Sequence, residues 1–455
     1  MKKLTILMSL SAAMPLTAFA TAGADITVFN RCPYTVTFVS GNDNLSKVDF
    51  KLRVQPDRNE KLGYFKDSSS GIGFTHNDRV EGSMIVWLYD DWSANHMDSR
   101  AIKGKIDIDQ SSKSWHSWEG TPDFTITACP ENIDISDSPM MQNIERVVVF
   151  GDSLSDKGTL FEYTQGTVPK SPPYYNGMFS NGNVWAKLFK DDLKPLGIEM
   201  SNYAIGGATA YLHIGSYLPY SLSGELKIFR LNAADKNWHN YDRFLSIIWV
   251  GGNDYLWADK NLSQADQDAM VKKVISSIDT TIKQLIESGI DKFVLLNLPD
   301  LGQVPEMVDA DKVKLGHYFS LEHNKALKNL VTRYQHDYPY RQFKLIDIES
   351  LFNEVIDDPE LINKRYDTEI SNVNDPCWRG GFVFDNMAAQ QVLNRAIPHT
   401  MDILTAIAVA NDDKLCSDPE HYLFFDRIHP TSQVHQVLYQ FIKEKLGINT
   451  VFSDY

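Results

Sequence analysis

Hydrophobic and polar positions follow two different periods along the chain. From residue 25 to about 130, short runs of β-forming residues alternate or cluster, with turn-rich pieces such as 68–71 between them. No long helical pattern interrupts these runs. The region is predicted to be a small antiparallel β-sandwich, and nothing in it indicates catalysis. The clearest predicted strands are 25–29, 34–39, 83–89 and 124–127.

Beyond residue 141, short apolar strands alternate with amphipathic helices. Apolar residues recur at helical spacing from Ala269 to Leu285, and Gly289 stands where a helix C-cap is expected. This alternation predicts an α/β domain with a doubly wound parallel sheet between two helical layers. The predicted strands are 147–150, one that ends near 202–203, 245–250, 293–298 and 343–348, and the predicted helices lie around 184–189, 269–285, 319–334 and 434–446.

The N-terminus has the pattern of an export signal. Two lysines precede an apolar stretch from about residue 4 to 16, and residues 18–20 (AFA) form a small-x-small cleavage site. The alternative is a buried first helix. We therefore expect a signal peptide over 1–20 and a secreted protein, with a β-sandwich-like domain over 21–138 and an α/β domain over 142–455. The polar segment 130–141, which holds two prolines, is predicted to be a linker between them.

The four cysteines allow three pairings. Export permits disulfides, so four unpaired buried thiols are the weaker alternative. We favour Cys32–Cys129 and Cys377–Cys416, because each bridge then lies within one predicted domain.

Charge and composition exclude several function classes. The net charge is −15 and no basic block occurs, so nucleic acid is a poor partner. An acidic surface suits a soluble secreted protein and gives no electrostatic attraction to an anionic membrane. The hydrophobic content of 43% predicts that the mature chain is folded throughout.

Polar and glycine-rich motifs directly follow three of the predicted strands. Ligands of open parallel sheets bind beyond the carboxyl ends of the strands, so these motifs identify the candidate site. Each motif alone is ordinary turn chemistry. Together they supply a hydroxyl, glycine amides, a carboxamide and a carboxylate–imidazole pair, which acyl transfer through a serine needs. The motifs are 151–156 (GDSLSD), 204–209 (AIGGAT), 251–254 (GGND) and, before the last helix, 426–430 (DRIHP).

These four blocks resemble those of the GDSL (also called SGNH) esterase and lipase family. The chain is most similar to the bacterial branch of phospholipases, glycerophospholipid–cholesterol acyltransferases and thermolabile hemolysins (lecithinases). The resemblance covers about residues 144–447, and an extra N-terminal region is similar to the arrangement of the hemolysins. Supporting runs are 171–175 (SPPYY), 179–182 (FSNG), 297–303 (NLPDLGQ) and 375–377 (DPC).

The resemblance implies the role of each site residue. Ser153 would be the nucleophile and His429 its general base, and Asp426 would orient the imidazole. The backbone amides of Gly207 and Ser153 and the side-chain amide of Asn253 would bind the oxyanion. Two further acids, at positions 152 and 254, adjoin the site and are interpreted as structural.

Other hydrolase and nucleotide motifs are absent from the sequence. There is no Gly-x-Ser-x-Gly elbow, no His-Glu-x-x-His motif and no phosphate-binding Gly-Lys-Ser/Thr loop. The mechanism as inferred needs no metal, nucleotide or organic cofactor.

The substrate is inferred mainly from the resemblance, which implies phospholipid or other lipid esters, with phospholipase A, lysophospholipase, acyltransferase or hemolytic activity. The aromatic run 211–220 (YLHIGSYLPY) would line an acyl pocket or contact a membrane surface, or it is an ordinary packed loop. Two alternatives stay open: a carbohydrate deacetylase with the same catalytic blocks, and a secreted binding or adhesion protein with an inert site.

An insertion over 378–415 lies between the last two cysteines and precedes the block that carries His429. A disulfide at its ends would stabilise the fold by roughly 3–4 kcal/mol in the chain-entropy model. The insertion is interpreted either as a lid held at both ends or as a purely structural clasp.

Overall fold

The computed structural model describes residues 23–451, except for the gaps 33–34, 56–57, 67–68, 77–78, 91–93, 104–105, 111, 116–121, 130–131, 167, 212–219 and 381–414. Its backbone contacts divide the chain at Pro130 into a first unit and a second unit. Among the helices of this described part, none is long and apolar enough to cross a membrane.

The first unit is built from β-strands that form two sheets. A four-stranded sheet has the order β4-β1-β10-β8, and a six-stranded sheet has the order β3-β2-β5-β6-β7-β9. The strands are β1 (Gly23–Asn30), β2 (Val36–Gly41), β3 (Val48–Val54), β4 (Arg58–Lys66), β5 (Ser69–His76), β6 (Arg79–Asp90), β7 (Asn95–Lys103), β8 (Ile106–Ile108), β9 (Ser112–Trp115) and β10 (Asp123–Ala128).

Alternating apolar residues from both sheets share one core, which includes Ile26, Phe38, Phe74 and Phe124. The β-rich character predicted from the sequence is therefore confirmed. The pairing is not wholly antiparallel, because β1 and β10 run parallel over six residue pairs. The Cys32–Cys129 disulfide is present, with its Cα atoms 5.1 Å apart.

The predicted turn at 68–71 was wrong, because β5 begins at Ser69. Position 71 of this strand is a glycine because the backbone of a neighbouring loop approaches it closely. A Cβ at this position would lie 2.3 Å from the carbonyl oxygen of Asn42. Glycine here permits a close approach rather than a turn.

The second unit alternates strands and helices, as predicted. Its strands are β11 (Asn132–Asp134), β12 (Arg146–Gly151), β13 (Glu199–Asn202), β14 (Phe244–Trp249), β15 (Lys292–Leu296), β16 (Gln342–Ile346), β17 (Asn372–Pro376), β18 (Tyr422–Phe424) and β19 (Asn449–Val451). Its described helices, numbered here in chain order, are α1 (Thr159–Tyr163), α2 (Trp185–Leu193), α3 (Leu222–Asp235), α4 (Gly252–Leu256), α5 (Gln264–Ser288), α6 (Pro305–Asp309), α7 (Val313–Asp337), α8 (Ile348–Asp357), α9 (Pro359–Tyr366) and α10 (Ser432–Leu446).

The central sheet is parallel, with the order β13-β12-β14-β15-β16. Helices α3, α5 and α7 contact one another in series, and α2, α10, α9 and α8 form a second series. These two helical layers and the sheet between them confirm the predicted doubly wound fold. The strand order reverses at β12, which is where ligands bind in open sheets of this type.

Helix ends follow the chemistry expected from the sequence. Ser263 caps α5 by accepting a hydrogen bond from the backbone N–H of Asp266. Gly289 ends the same helix in the left-handed conformation, with φ +105°, as predicted.

The segment 130–141, predicted to be a polar linker, is in part ordered within the second unit. Strand β11 pairs antiparallel with β19, near the end of the described chain. The hydroxyl of Ser138 donates to the carbonyl of Leu446, and the side chain of Met141 is fully buried. Pairing with residues about 310 positions away leaves no trace in the local composition. The sequence therefore did not predict that this segment belongs to the second unit.

Candidate active site

Ser153 lies directly beyond β12, at the carboxyl edge of the sheet. The turn that carries it needs glycine at position 151, because a Cβ there would lie 2.4 Å from the carbonyl oxygen of Trp249. The Gly151 N–H donates to a buried carboxyl oxygen of Glu225 at 2.9 Å, which anchors the end of the strand to α3. The sequence prediction had not identified Glu225.

Asp156 connects the turn that carries Ser153 to the glycine loop (204–209) that follows β13. Its carboxylate accepts backbone N–H groups from Gly158 and Leu160 at 2.8 and 3.1 Å. The same carboxylate accepts the N–H of Gly206 at 2.7 Å. The side chain is fully buried, so these donors replace its solvation. Asp156 thereby fixes the position of the loop after β12 relative to the loop after β13.

His429 and Asp426 lie on the loop between β18 and α10, and the structure brings both to Ser153. The Nε2 atom of His429 lies 2.8 Å from the Ser153 Oγ, and its Nδ1 atom lies 2.7 Å from an Asp426 carboxylate oxygen. All three side chains are at most 5% exposed. A hydroxyl, an imidazole and a carboxylate therefore form one continuous hydrogen-bonded chain.

Asp426 is ionised in spite of its burial. Burial alone would raise its pKa, but the His429 imidazole and hydrogen bonds to the carboxylate bring the pKa below the ordinary value. One carboxylate oxygen accepts the backbone N–H groups of Ile428 and His429, each at 2.7 Å. The oxygen that faces the imidazole also accepts the hydroxyl of Tyr174. The carboxylate is thus held in one orientation from both sides.

Tyr174 comes from the predicted 171–175 run, but its contact with Asp426 was not foreseen. The two residues are 252 positions apart. The Tyr174 ring packs edge-on against Phe179, Trp378 and Phe425, with centroids 5.5–5.7 Å apart. The Phe179 ring also contacts the His429 imidazole at 5.0 Å. This aromatic cluster surrounds the carboxylate–imidazole pair.

Gly207 and Asn253 follow the strands on either side of β12 and belong to adjoining loops. Gly207 has φ +79°, a left-handed conformation that favours glycine. The side-chain amide of Asn253 donates to the carbonyl of Ala208 at 2.9 Å. The side-chain amide nitrogen carries two hydrogens, so Asn253 can donate a second hydrogen bond. Asn253 also lines the same cleft as Ser153.

The two acids interpreted as structural also border these loops. A carboxylate oxygen of Asp254 accepts the N–H of Ala210 at 2.7 Å, which ties the glycine loop to α4. Asp152 accepts the N–H of Leu154 at 3.1 Å. Burial raises the pKa of Asp152 to about 7, against the effect of this hydrogen bond and of the nearby His429.

The Cys377–Cys416 disulfide is present and is linked to the histidine loop through the backbone. The N–H groups of Cys377 and Trp378 donate to the carbonyls of Phe424 and Phe425, each at 2.9 Å. Phe425 in turn donates to the carbonyl of His429 at 2.8 Å. Most of the insertion interpreted as a lid or a clasp, 381–414, lies outside the described residues, as does 212–219 of the aromatic run.

A mostly apolar cleft borders Ser153 and Asn253. Sequence reasoning missed it, because its walls come from five separate segments. The polar Asp300 in this lining accepts the Gly302 N–H at 2.9 Å and contacts the His317 imidazole. The apolar lining residues are Leu154, Leu256, Leu298, Pro299, Leu301, Val304, Phe352, Ile356, Phe424, Ile428 and Pro430.

The described residues contain no candidate metal site, since no group of three or more histidine, cysteine, aspartate or glutamate side chains among them is arranged to hold a metal ion.

The model of the GDSL-like lipase/acylhydrolase family matches residues 147–442. The chain belongs to this family. The resemblance inferred from the four sequence blocks is therefore confirmed, and the chain is a GDSL-family acylhydrolase.

Curated relatives include members of the predicted bacterial branch. A phosphatidylcholine-sterol acyltransferase of Aeromonas hydrophila is 31% identical over 64% of this chain and 87% of its own length. A thermolabile hemolysin of Vibrio parahaemolyticus is 25% identical over 67% of this chain and 63% of its own length. Among solved structures, an acetylxylan esterase of Geobacillus stearothermophilus, crystallised as a catalytic mutant, aligns at 12% identity with a TM-score of 0.35. That alignment covers 67% of this chain and 95% of the esterase.

Proposed function

We propose that the protein is a secreted serine esterase that hydrolyses lipid carboxylic esters. The observation that carries the proposal is the hydrogen-bonded chain of Ser153, His429 and Asp426 at the border of an apolar cleft. A carbohydrate ester would leave such a wall without polar partners, whereas a fatty acyl group gains free energy from each methylene it moves out of water.

The reaction would proceed through an acyl-enzyme. His429 Nε2 takes the proton of Ser153 as the Oγ atom attacks the ester carbonyl carbon. The negative charge that develops on the carbonyl oxygen is bound by the amides of Gly207 and Ser153 and by the side chain of Asn253. The imidazolium then returns the proton to the departing alcohol.

Water completes the cycle by the same chemistry in reverse order. His429 removes a proton from the water as it attacks the acyl-serine, and the proton passes to Ser153 when the fatty acid leaves. An alcohol in place of water would receive the acyl group instead, which makes acyl transfer to a sterol or a lysolipid a second outcome of the same intermediate. Asp426 stabilises the imidazolium in both halves.

Phospholipids are the proposed substrates, with phospholipase A and lysophospholipase activity and contact with a membrane surface. The printed names of the relatives support this choice, since one is a phosphatidylcholine-sterol acyltransferase and another a hemolysin. Two disulfides support an oxidising compartment. The proposed organisation is a signal peptide over 1–20, then a β-sandwich-like domain and a hydrolase domain, with the boundary between these two domains at about Pro130.

The test compares lipid and acetyl esters under matched conditions. The purified protein and its Ser153→Ala variant are incubated with dipalmitoylphosphatidylcholine vesicles, p-nitrophenyl palmitate, p-nitrophenyl acetate and acetylated xylan. Release of fatty acid by the wild type alone supports the proposal. Turnover of acetyl esters only would indicate a carbohydrate deacetylase, and turnover of none would indicate an inert site.

A further inference from the structure

The apolar cleft beside Ser153 follows the carboxyl edge of the parallel sheet. Its lining comes in turn from the segments after β12, β14, β15 and β16, which are neighbours in that order. Leu154 follows β12 and Leu256 ends α4 after β14. Leu298 follows β15, and Ile356 lies on α8 after β16. The cleft therefore extends across the strand ends, away from the glycine loop that follows β13.

The length of this path is set by strand spacing. Neighbouring strands lie about 4.8 Å apart, so the three steps from β12 to β16 span about 14 Å. The loop that carries the histidine supplies further apolar side chains to the same cleft, Phe424 and Ile428. The lining of the cleft is thus mostly apolar along these strand ends, with the proposed nucleophile beside β12.

Helix α8 supplies the lining at the far end. Phe352 and Ile356 are four residues apart on this helix, so they lie on the same face. Phe352 is buried, whereas Ile356 is half-buried. Both side chains line the cleft, and Ile356 is the more exposed of the two.

We propose that the acyl chain of the ester lies in this cleft and that Ile356 sets the longest chain that fits. The inference rests on the proposed function, because it assumes an ester whose carbonyl carbon is attacked by Ser153. An acyl chain attached at Ser153 enters the cleft at the β12 end and reaches α8 with its terminal methyl group.

The experiment changes the far end of the cleft in both directions. Ile356→Trp fills it, and Ile356→Ala deepens it. Leu361→Trp is the matched control, because Leu361 lies on the neighbouring helix α9, is 47% exposed and does not line the cleft. Fluorophosphonate labelling of Ser153 and circular dichroism show that each variant keeps its fold and its reactive serine.

The substrates vary one part of the ester at a time. One series holds p-nitrophenol constant and varies the acyl group from butyrate through octanoate and laurate to palmitate. A second series holds the acyl group constant and varies the alcohol. Each methylene removed from water contributes about a fourfold factor in binding. Excluding two or more should therefore lower the palmitate-to-butyrate ratio of kcat/KM by at least about tenfold in Ile356→Trp.

Ile356→Ala should raise that ratio, and Leu361→Trp should leave it at the wild-type value. If the wild type prefers long acyl chains but both Ile356 variants keep its chain-length profile, the inference is overturned while the proposed function stands. A change of preference only in the alcohol series would assign the cleft to the other half of the ester and also overturn it. Acetyl-only turnover by the wild type would contradict the proposed function itself.

Discussion

The two units of the chain differ in the number of ionisable side chains that they bury. In the first unit, Arg31 is the one ionisable side chain among the buried residues that the structure describes. In the second unit, five carboxyl groups lie buried around the strand ends that carry the candidate site: Asp152, Asp156, Glu225, Asp254 and Asp426. A stable β-fold clearly does not need such groups, since burying a carboxylate costs free energy unless it is paired.

The difference shows what the buried acids do. Asp156 and Asp254 accept backbone N–H groups of the glycine loop, and Glu225 accepts the N–H of Gly151. Asp426 contacts the imidazole directly. The carboxyl groups therefore fix loops that no regular hydrogen-bond ladder holds, at the edge of the sheet where the reaction is proposed to occur.

The largest effect is expected from His429→Ala. Members of a catalytic triad act as a unit, so turnover of p-nitrophenyl octanoate should fall by about 10⁴–10⁶. Ser40→Ala, at a buried serine of the first unit, is the control and should keep turnover within about twofold of the wild type. Comparable losses of turnover in both variants would contradict the claim that only the second unit carries the catalytic residues.

Asn253→Ala should lower kcat by about 10²–10³, because one donor to the oxyanion is lost. KM should change little, since the full charge on the oxygen develops only in the transition state. Steady-state kinetics separate the two parameters. A variant with unchanged kcat would mean that Asn253 only supports the loop through Ala208.

Asp152→Asn tests what it costs in free energy of unfolding to ionise this buried acid. The pKa of about 7 exceeds the unfolded value of 3.8, so the native state binds the extra proton between these values. The wild type should therefore lose stability as pH rises from 5 to 7, whereas the variant lacks this loss. At 1.36 kcal/mol per unit, the variant should gain about 2–3 kcal/mol relative to the wild type over that interval.

Hydrogen exchange of the β12 amides, compared between variant and wild type at each pH, measures this gain. Amides of β1 in the first unit serve as the internal reference and should not change. A difference between the two proteins that stays the same at pH 5 and pH 7 would show that Asp152 is ionised throughout.

Tyr174→Phe should have the smallest effect, about a tenfold loss of kcat. The ring and its aromatic contacts stay, while the donor to Asp426 is removed. Loss of this donor raises the pKa of Asp426, and the more basic carboxylate stabilises the imidazolium form of its neighbour, so the acidic limb of the activity profile should move to higher pH. Tyr163→Phe, at a half-exposed tyrosine, is the control. An unmoved acidic limb would assign Tyr174 to packing alone.

The sequence was most informative where short apolar runs are followed directly by glycine or polar residues. Val147–Val149 and their neighbours are too apolar for an exposed strand, so the position of Ser153 beyond a buried strand followed from local pattern. The parallel sheet and its two helical layers followed from the alternation of strands and helices, whereas the order of the strands was not predicted. In the first unit, β3 and β4 were missed because most of their residues are exposed or half-buried and polar.

The parts that were not predicted depend on contacts between distant residues. The Tyr174–Asp426 hydrogen bond and the β11–β19 pairing leave no periodic trace in the sequence. The cleft is assembled from apolar residues of five separate segments, and Ile356 alone is indistinguishable from any apolar residue of an amphipathic helix. Glu225 is likewise an ordinary helical glutamate until its burial beside Gly151 is known.

The central claim is that Ser153 is a nucleophile activated by His429, and covalent labelling tests it most directly. The protein is treated with a fluorophosphonate, and the modified peptide is identified by mass spectrometry for the wild type, Ser153→Ala and His429→Ala. We predict one adduct per chain on Ser153, none in Ser153→Ala and a strongly slowed reaction in His429→Ala. An adduct on another serine, or labelling that survives in Ser153→Ala, would contradict the proposed mechanism.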